Sequence, residues 1–213
     1  MIESGGCLNY IFHQIVWRAQ KNYWGAGVLL RDARFGSGPL PLTIALWPEG
    51  MRAIRQHSAW IHRQCSQGRE ILIADVAASG ALSVNSVAGR GIDSGWSTKY
   101  VFNGLLVCLG DSIAATRCYQ AMRIPAALKE IPGIRPTEIS YYGEGEFARY
   151  AKIAALLNAM PVQTEGVYQT WGEIVTDKYA DLTYYMDWML PGAALYADMD
   201  DIDRWLREDG LLK

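Results

Sequence analysis

Between Glu138 and Leu157 the period of the sequence changes abruptly. Ile139-Ser-Tyr-Tyr142 is a short β-favouring run that leads into Gly143 and Gly145. From Phe147 onward, Phe147, Tyr150, Ala151, Ala154 and Leu157 recur three and four residues apart, which is the spacing of one apolar helix face. A strand, a two-glycine turn and a packed helix form an elbow with residue 145 at its apex. Glycine takes a strained φ/ψ there at little cost. Such an elbow needs a sheet for its strand to join and a sheet face for its helix to lie on.

Three other runs supply that sheet. Ala26-Gly-Val-Leu-Leu-Arg31, Leu42-Thr-Ile-Ala-Leu-Trp47 and Glu70-Ile-Leu-Ile-Ala-Asp75 are apolar runs, as buried parallel strands are. Between the second and third, residues 51–66 read as a helix with Ile54, His57, Ser58 and Ile61 on one face and Gly68 as its C-terminal cap. Strand, helix and strand in succession make a βαβ unit with a parallel pair and a right-handed crossover.

Val76 to Thr98 is rich in Gly, Ser and Ala and reads as a long loop, a length that is usually functional or disordered. A helix is expected from about Val101 to Met122, with Leu105, Leu109, Ile113, Thr116 and Met122 on its buried side and a kink at Gly110-Asp111. Pro161 to Tyr168 is a weaker fifth strand, and 170–197 is an aromatic, loop-like tract broken by Pro191-Gly192. Asp198 to Glu208 is a terminal helix whose early acids Asp198, Asp200 and Asp201 suit its dipole. Ile11 to Trp17 fits a strand or a short helix, so residues 1–24 form an N-terminal extension or extra element. The alternation predicts one α/β domain over 1–213, with three layers, α/β/α, around a mostly parallel sheet.

Charge argues against several functions. Twenty Lys and Arg stand against 22 Asp and Glu, giving a net charge of −2, and no basic cluster marks a nucleic-acid face. No run approaches the roughly 20 apolar residues that span a bilayer, and Met-Ile-Glu-Ser-Gly-Gly lacks the features of a signal peptide. The expectation is a cytoplasmic protein with no membrane role. Cys7, Cys65, Cys108 and Cys118 have no metal-ligand spacing and are expected to be isolated buried thiols. His57 and His62 stand five apart and do not share a helix face. No metal and no cofactor are expected.

The order of these pieces resembles the α/β-hydrolases, in particular the acetyl xylan esterase and dienelactone hydrolase-like branch. Gly27 to Arg31 through Gly38-Pro-Leu-Pro-Leu-Thr-Ile-Ala-Leu-Trp47 looks like the family's paired strands before the oxyanion turn. Arg69 to Asp75 through Ser79-Gly80 looks like its next strand, matching the first Asp and last Gly of D-x-x-G-x-G. Tyr100-Val-Phe-Asn-Gly-Leu-Leu-Val107 through Arg117 and Tyr119 looks like the long helix before the elbow. Leu190-Pro-Gly-Ala-Ala-Leu195 with Asp198 to Ile202 is similar to a late segment of the type PGxLxxxDLxDL. The resemblance implies an α/β-hydrolase-like fold, here lacking the last family strands, and a G-x-S-x-G nucleophile at the elbow. This chain has Gly143-Glu144-Gly145-Glu146-Phe147 there, so glycine stands at the nucleophile position.

His13, His57 and His62 all precede the elbow, against the family's order of serine, acid, histidine. The turn Trp47-Pro48-Glu49-Gly50 contains a proline, which has no N–H, and an acid near a hole meant for an oxyanion. The expected function is therefore that of a binding or interaction protein without ordinary serine-hydrolase activity. The alternative is an active carboxylic-ester hydrolase, acting on carbohydrate acetyl esters, with a rebuilt site or one completed by another subunit.

At the elbow the positions of interest are Glu144, Gly145 and Glu146. The two acids could divide acid and base roles or simply stabilise a helix N-terminus. Asp75, at the carboxyl end of a strand, could face a ligand or cap a turn with Ser79. Ser79, Ser83, Ser94 and Ser97 lack a visible partner base. The tract Tyr168, Trp171, Tyr179, Tyr184, Tyr185, Trp188 and Tyr196 could line a small-molecule or carbohydrate cleft, cover a sheet edge, or join a homo-oligomer or partner subunit. Trp47, Glu49, Asp75, Trp171 and Trp188 are the ligand-binding candidates.

Overall fold

The computed structural model describes residues 2–7, 9–21, 23–83, 98–177 and 190–213. Seven strands form one sheet: β1 (Ile2–Cys7), β2 (Tyr10–Gln20), β3 (Tyr23–Asp32), β4 (Leu42–Leu46), β5 (Glu70–Asp75), β6 (Ile139–Glu144) and β7 (Val162–Glu165), in the spatial order β1-β2-β3-β5-β4-β6-β7. The first three strands are antiparallel to their neighbours, and β5, β4, β6 and β7 run parallel to one another. The described residues of the N-terminal segment 1–24 are thus two strands of the sheet and the start of a third. Ile15, Trp17 and Ala19 of β2 are buried and the residues between them exposed, the alternation of a strand covered on one face.

Every residue of β4 and β5 is buried, because helices cover both sides. On one face lie α1 (Ser58–Ser66) and the turn before it, joined through Ala45, Trp47, Trp60, Ile61, Cys65, Ile71 and Ile73. On the other face lie α3 (Ile113–Lys129) and α4 (Ala148–Asn158), with α6 (Met199–Glu208) beyond them. The sheet with helices on both faces is the three-layer α/β/α arrangement expected. The last residues fold back on β7: the Val162 N–H donates to Leu211 O at 2.8 Å, and the Lys213 N–H donates to Val162 O at 2.9 Å.

Two helices depart from the sequence expectation. Residues 51–66 are a 3-10 turn at Gly50–Ala53 followed by α1, whose buried side is Trp60, Ile61 and Cys65. The long helix is broken into α2 (Thr98–Cys108) and α3, which meet at 84°. Gly110 takes φ +78°, and the Ser112 hydroxyl accepts the Ala115 N–H at 3.0 Å, so a new helix is capped where a kink was expected. Leu105 and Leu109, expected inside, are 61% and 82% exposed, and Asn103 and Leu106 are buried instead.

Leu157 of α4 likewise faces out at 64%. Trp171–Thr176 of the aromatic tract forms a short helix, α5, with a capping box between Thr170 and Glu173. Among the described residues no single helix is long and apolar enough to cross a membrane. Cys65 and Cys118 are buried free thiols that burial pushes up to about 12, whereas Cys108 is exposed.

Candidate active site

β6 delivers the elbow. Gly145 sits at φ +52°, in the left-handed region that favours glycine, and a 3-10 turn over Gly145–Phe147 runs directly into α4. Gly143 is needed for a different reason. A Cβ there would lie 2.7 Å from both Ala148 Cα and Ala151 Cβ, so α4 rests almost on the strand backbone. Phe147 then packs edge-on against Tyr150 at 5.2 Å, and the Arg117 guanidinium lies over both rings. Among the described residues the apex is open, since a Cβ built on Gly145 meets nothing within 4 Å. The turn joins strand to helix with a glycine at its apex.

The two acids beside the apex are engaged in opposite directions. Glu144 Oε2 lies 3.2 Å from His57 Nδ1, and the His57 ring stacks on Trp47 at 4.0 Å. Glu146 pairs with Arg149, which is fully buried and also donates from Nε to the Gln169 carbonyl at 3.0 Å. Behind Glu144, the Tyr142 hydroxyl donates to Glu165 Oε2 at 2.9 Å. Burial, reinforced by the carboxylates of Glu165 and Glu144, holds the Tyr142 phenol well above its ordinary pKa. It therefore stays a neutral donor.

The turn after β4 has little left to offer an oxyanion. Pro48 lacks an N–H, and those of Gly50 and Arg52 bond to Trp47 O and Glu49 O at 3.0 and 3.1 Å. The Met51 N–H donates to Asp75 Oδ1 at 2.7 Å. Asp75 is fully buried, and its other oxygen accepts the Ala81 N–H at 2.6 Å. Burial raises its pKa against the lowering effect of those two N–H donors. Asp75 therefore ties together two turns, with partners other than Ser79; Ser79 Oγ bonds within its own turn to Val76 N and O.

The remaining candidates are scattered. Trp47 is fully buried, with Nε1 donating to Gly50 O at 2.6 Å, and Trp171 is 4% exposed. Neither offers its face to solvent. Glu49 is exposed at the start of the 3-10 turn. Ser83 Oγ donates to Gly80 O at 2.8 Å. Trp188, Tyr179, Tyr184, Tyr185, Ser94 and Ser97 lie outside the described residues. Tyr168 packs under Arg149 and Lys152. Tyr196 is 89% exposed.

Among the described residues no group of three or more His, Cys, Asp or Glu side chains could hold a metal ion. Sequence reading missed the pairing of His57 with Glu144. The signal lies in topology: β4 and β6 are adjacent, so the segment leaving β4 passes the end of β6.

No protein-family model matches the chain, and no curated protein matches it in sequence. Solved structures match its fold. A Bacteroides fragilis protein assigned as an acetyl xylan esterase superposes with TM-score 0.61 and 14% identity, over 76% of this chain and 46% of that one. Acetyl xylan esterase 1 from Thermoanaerobacterium sp. JW/SL YS485 gives 0.60 and 11%, over 99% and 66%. A dienelactone hydrolase-like promiscuous phosphotriesterase from metagenomic libraries gives 0.55 and 16%, over 96% and 80%. The fold is α/β-hydrolase-like, and the chain spans between about half and two thirds of the length of the two esterases.

Proposed function

We propose that this protein, related in fold to acetyl xylan esterases, acts by binding a small molecule, a carbohydrate or another chain, without serine hydrolysis. Gly145 carries the reading. The apex keeps the backbone angle of a nucleophile elbow and an open approach, with no hydroxyl to attack an ester. The engaged N–H groups after β4 support it, because an oxyanion needs donors aimed at it. Association with a second copy or a partner subunit belongs to the same reading. It is supported by Val167, Leu195 and Tyr196, which are 92%, 84% and 89% exposed.

One observation favours a second reading. His57 held by Glu144 is a histidine oriented by an acid beside the open apex, the arrangement of a general base. It would serve an ester hydrolase with a rebuilt site, or one whose nucleophile comes from another subunit. The two readings separate on treatment of the intact protein with p-nitrophenyl acetate and a fluorophosphonate probe. The expected result is no turnover above buffer and no labelled serine. Turnover that His57→Gln abolishes would reverse the conclusion in favour of hydrolysis.

A further inference from the structure

At the amino-terminal ends of β4, β6 and β7, away from the elbow, the α1 face of the sheet carries a cleft of about 230 Å³. Its floor is polar where a buried parallel sheet is ordinarily apolar. Thr43 and Ser140 face each other in register across β4 and β6, with hydroxyls 3.2 Å apart and 6% and 8% exposure. Arg69, half-buried just before β5, reaches over both, its Nη1 3.4 Å from each hydroxyl oxygen.

The charge of Arg69 is what distinguishes the cleft. Three other buried or half-buried cations are matched by carboxylates: Arg31 by Glu70 at 2.9 Å, Lys152 by Asp203 at 2.7 Å, and Arg149 by Glu146; buried Arg117 is met by the carbonyls of Ala77 and Ala78 and by the Tyr150 hydroxyl. Among the described residues no carboxylate pairs with Arg69. Lys213 at the lip is already 3.8 Å from Glu138. A guanidinium has five donors in a planar fork suited to two oxygens of one anion. Two neutral hydroxyls at long range leave most of that capacity open.

Around it, the amides of Gln64 on α1, of Gln67 just past its end, and of Gln163 on β7 also line the cleft. Each carries both donor and acceptor groups, which suits hydroxyls better than a bare ion. The volume lies below the roughly 300 Å³ where pockets for drug-sized ligands begin.

We propose that this cleft binds a small hydroxylated anion of monosaccharide size, its carboxylate or phosphate held by Arg69 and its hydroxyls by the glutamine amides. The inference gives the binding reading a ligand site, yet it rests on residues remote from the elbow. Calorimetric titration of the whole chain with glucuronate, glucose 6-phosphate, glucose and inorganic phosphate tests it. At least one charged sugar is expected to bind about tenfold or more tightly than glucose and inorganic phosphate. Arg69→Gln should remove that advantage and Arg69→Lys retain part of it, with both variants keeping a cooperative thermal transition.

A preference for glucuronate marks the carboxylate source, and one for glucose 6-phosphate the phosphate source. Failure of both charged sugars to bind, or binding unchanged in Arg69→Gln, would overturn the proposal. Ester turnover measured on the same samples reports on the elbow alone, so the two conclusions fail separately.

Discussion

Gly145 combines a constraint with an opening. Its φ of +52° disfavours any side chain, while no described residue obstructs the space where a Cβ would lie. Gly145→Ser should therefore cost only the left-handed backbone penalty, about 1–2 kcal/mol, seen as a melting temperature lowered by roughly 2–8 °C. Adding the hydroxyl is not expected to give labelling by a fluorophosphonate. The N–H groups of Gly50 and Arg52 are engaged within their own turn, and that of Met51 by the Asp75 carboxylate, which leaves few donors for an oxyanion. Labelling of residue 145 in that variant would show that the base and the oxyanion donors are still in place.

The site was half legible in this respect. The glycine at the apex and the proline in the turn are visible in the sequence. The His57–Glu144 pair joins residues far apart in the chain, and only the strand order brings them together.

At the scale of elements, strands were read more faithfully than helices. Glu70–Asp75 and Leu42–Leu46 carry continuous apolar runs because both faces are covered, so the pattern survives whatever covers them. Helix faces depend on what lies opposite. Leu105 and Leu109 sit at helical spacing but point outward, since the 84° bend after Cys108 takes α2 out of line with α3, the helix that packs on the sheet. Caps decide where such bends fall.

Asp198 is the more consequential cap. Its carboxylate accepts the N–H of Met199 at the start of α6 at 2.6 Å, and those of Trp171 and Gly172 at the start of α5 at 2.9 and 2.8 Å. Asp198→Ala should cost about 2–4 kcal/mol, because three N–H groups lose their acceptor together. Ser112→Ala, which removes one of two side-chain acceptors at the start of α3 and leaves Asn103 Oδ1 on the Ile113 N–H, should cost about 1 kcal/mol. Chemical denaturation of the two variants side by side checks the order.

Across the whole molecule, stability depends on acids perturbed in opposite senses. Arg34, through its side chain and its backbone N–H, holds the Asp32 carboxyl below its ordinary range. Its folded-state pKa thus lies below the unfolded value. The stabilisation is present above about pH 3.9 and is lost as pH falls through the folded value. Burial raises Glu70, which Arg31 only partly offsets, and raises Asp75. For these two the sign reverses: their contribution is present at low pH and is lost as pH rises through the folded values. Thermal unfolding of wild type and Asp32→Asn from pH 7 down to about 3 isolates the first effect. The variant should be less stable near neutrality, and the gap should close in acid; a gap constant with pH would rule out Asp32 as its source.

Gly143 bears on how such a protein could have changed over time. Because α4 lies 2.7 Å from where a side chain at 143 would begin, selection for a folded chain alone would preserve that glycine, and the positive φ at 145 would preserve the next. Purifying selection on these two positions would persist after any chemistry was gone. A survey that infers enzymes from the first elbow glycine alone would count this chain among them, although Phe147 stands at the second. The informative position for such a survey is the single carbon that residue 145 lacks.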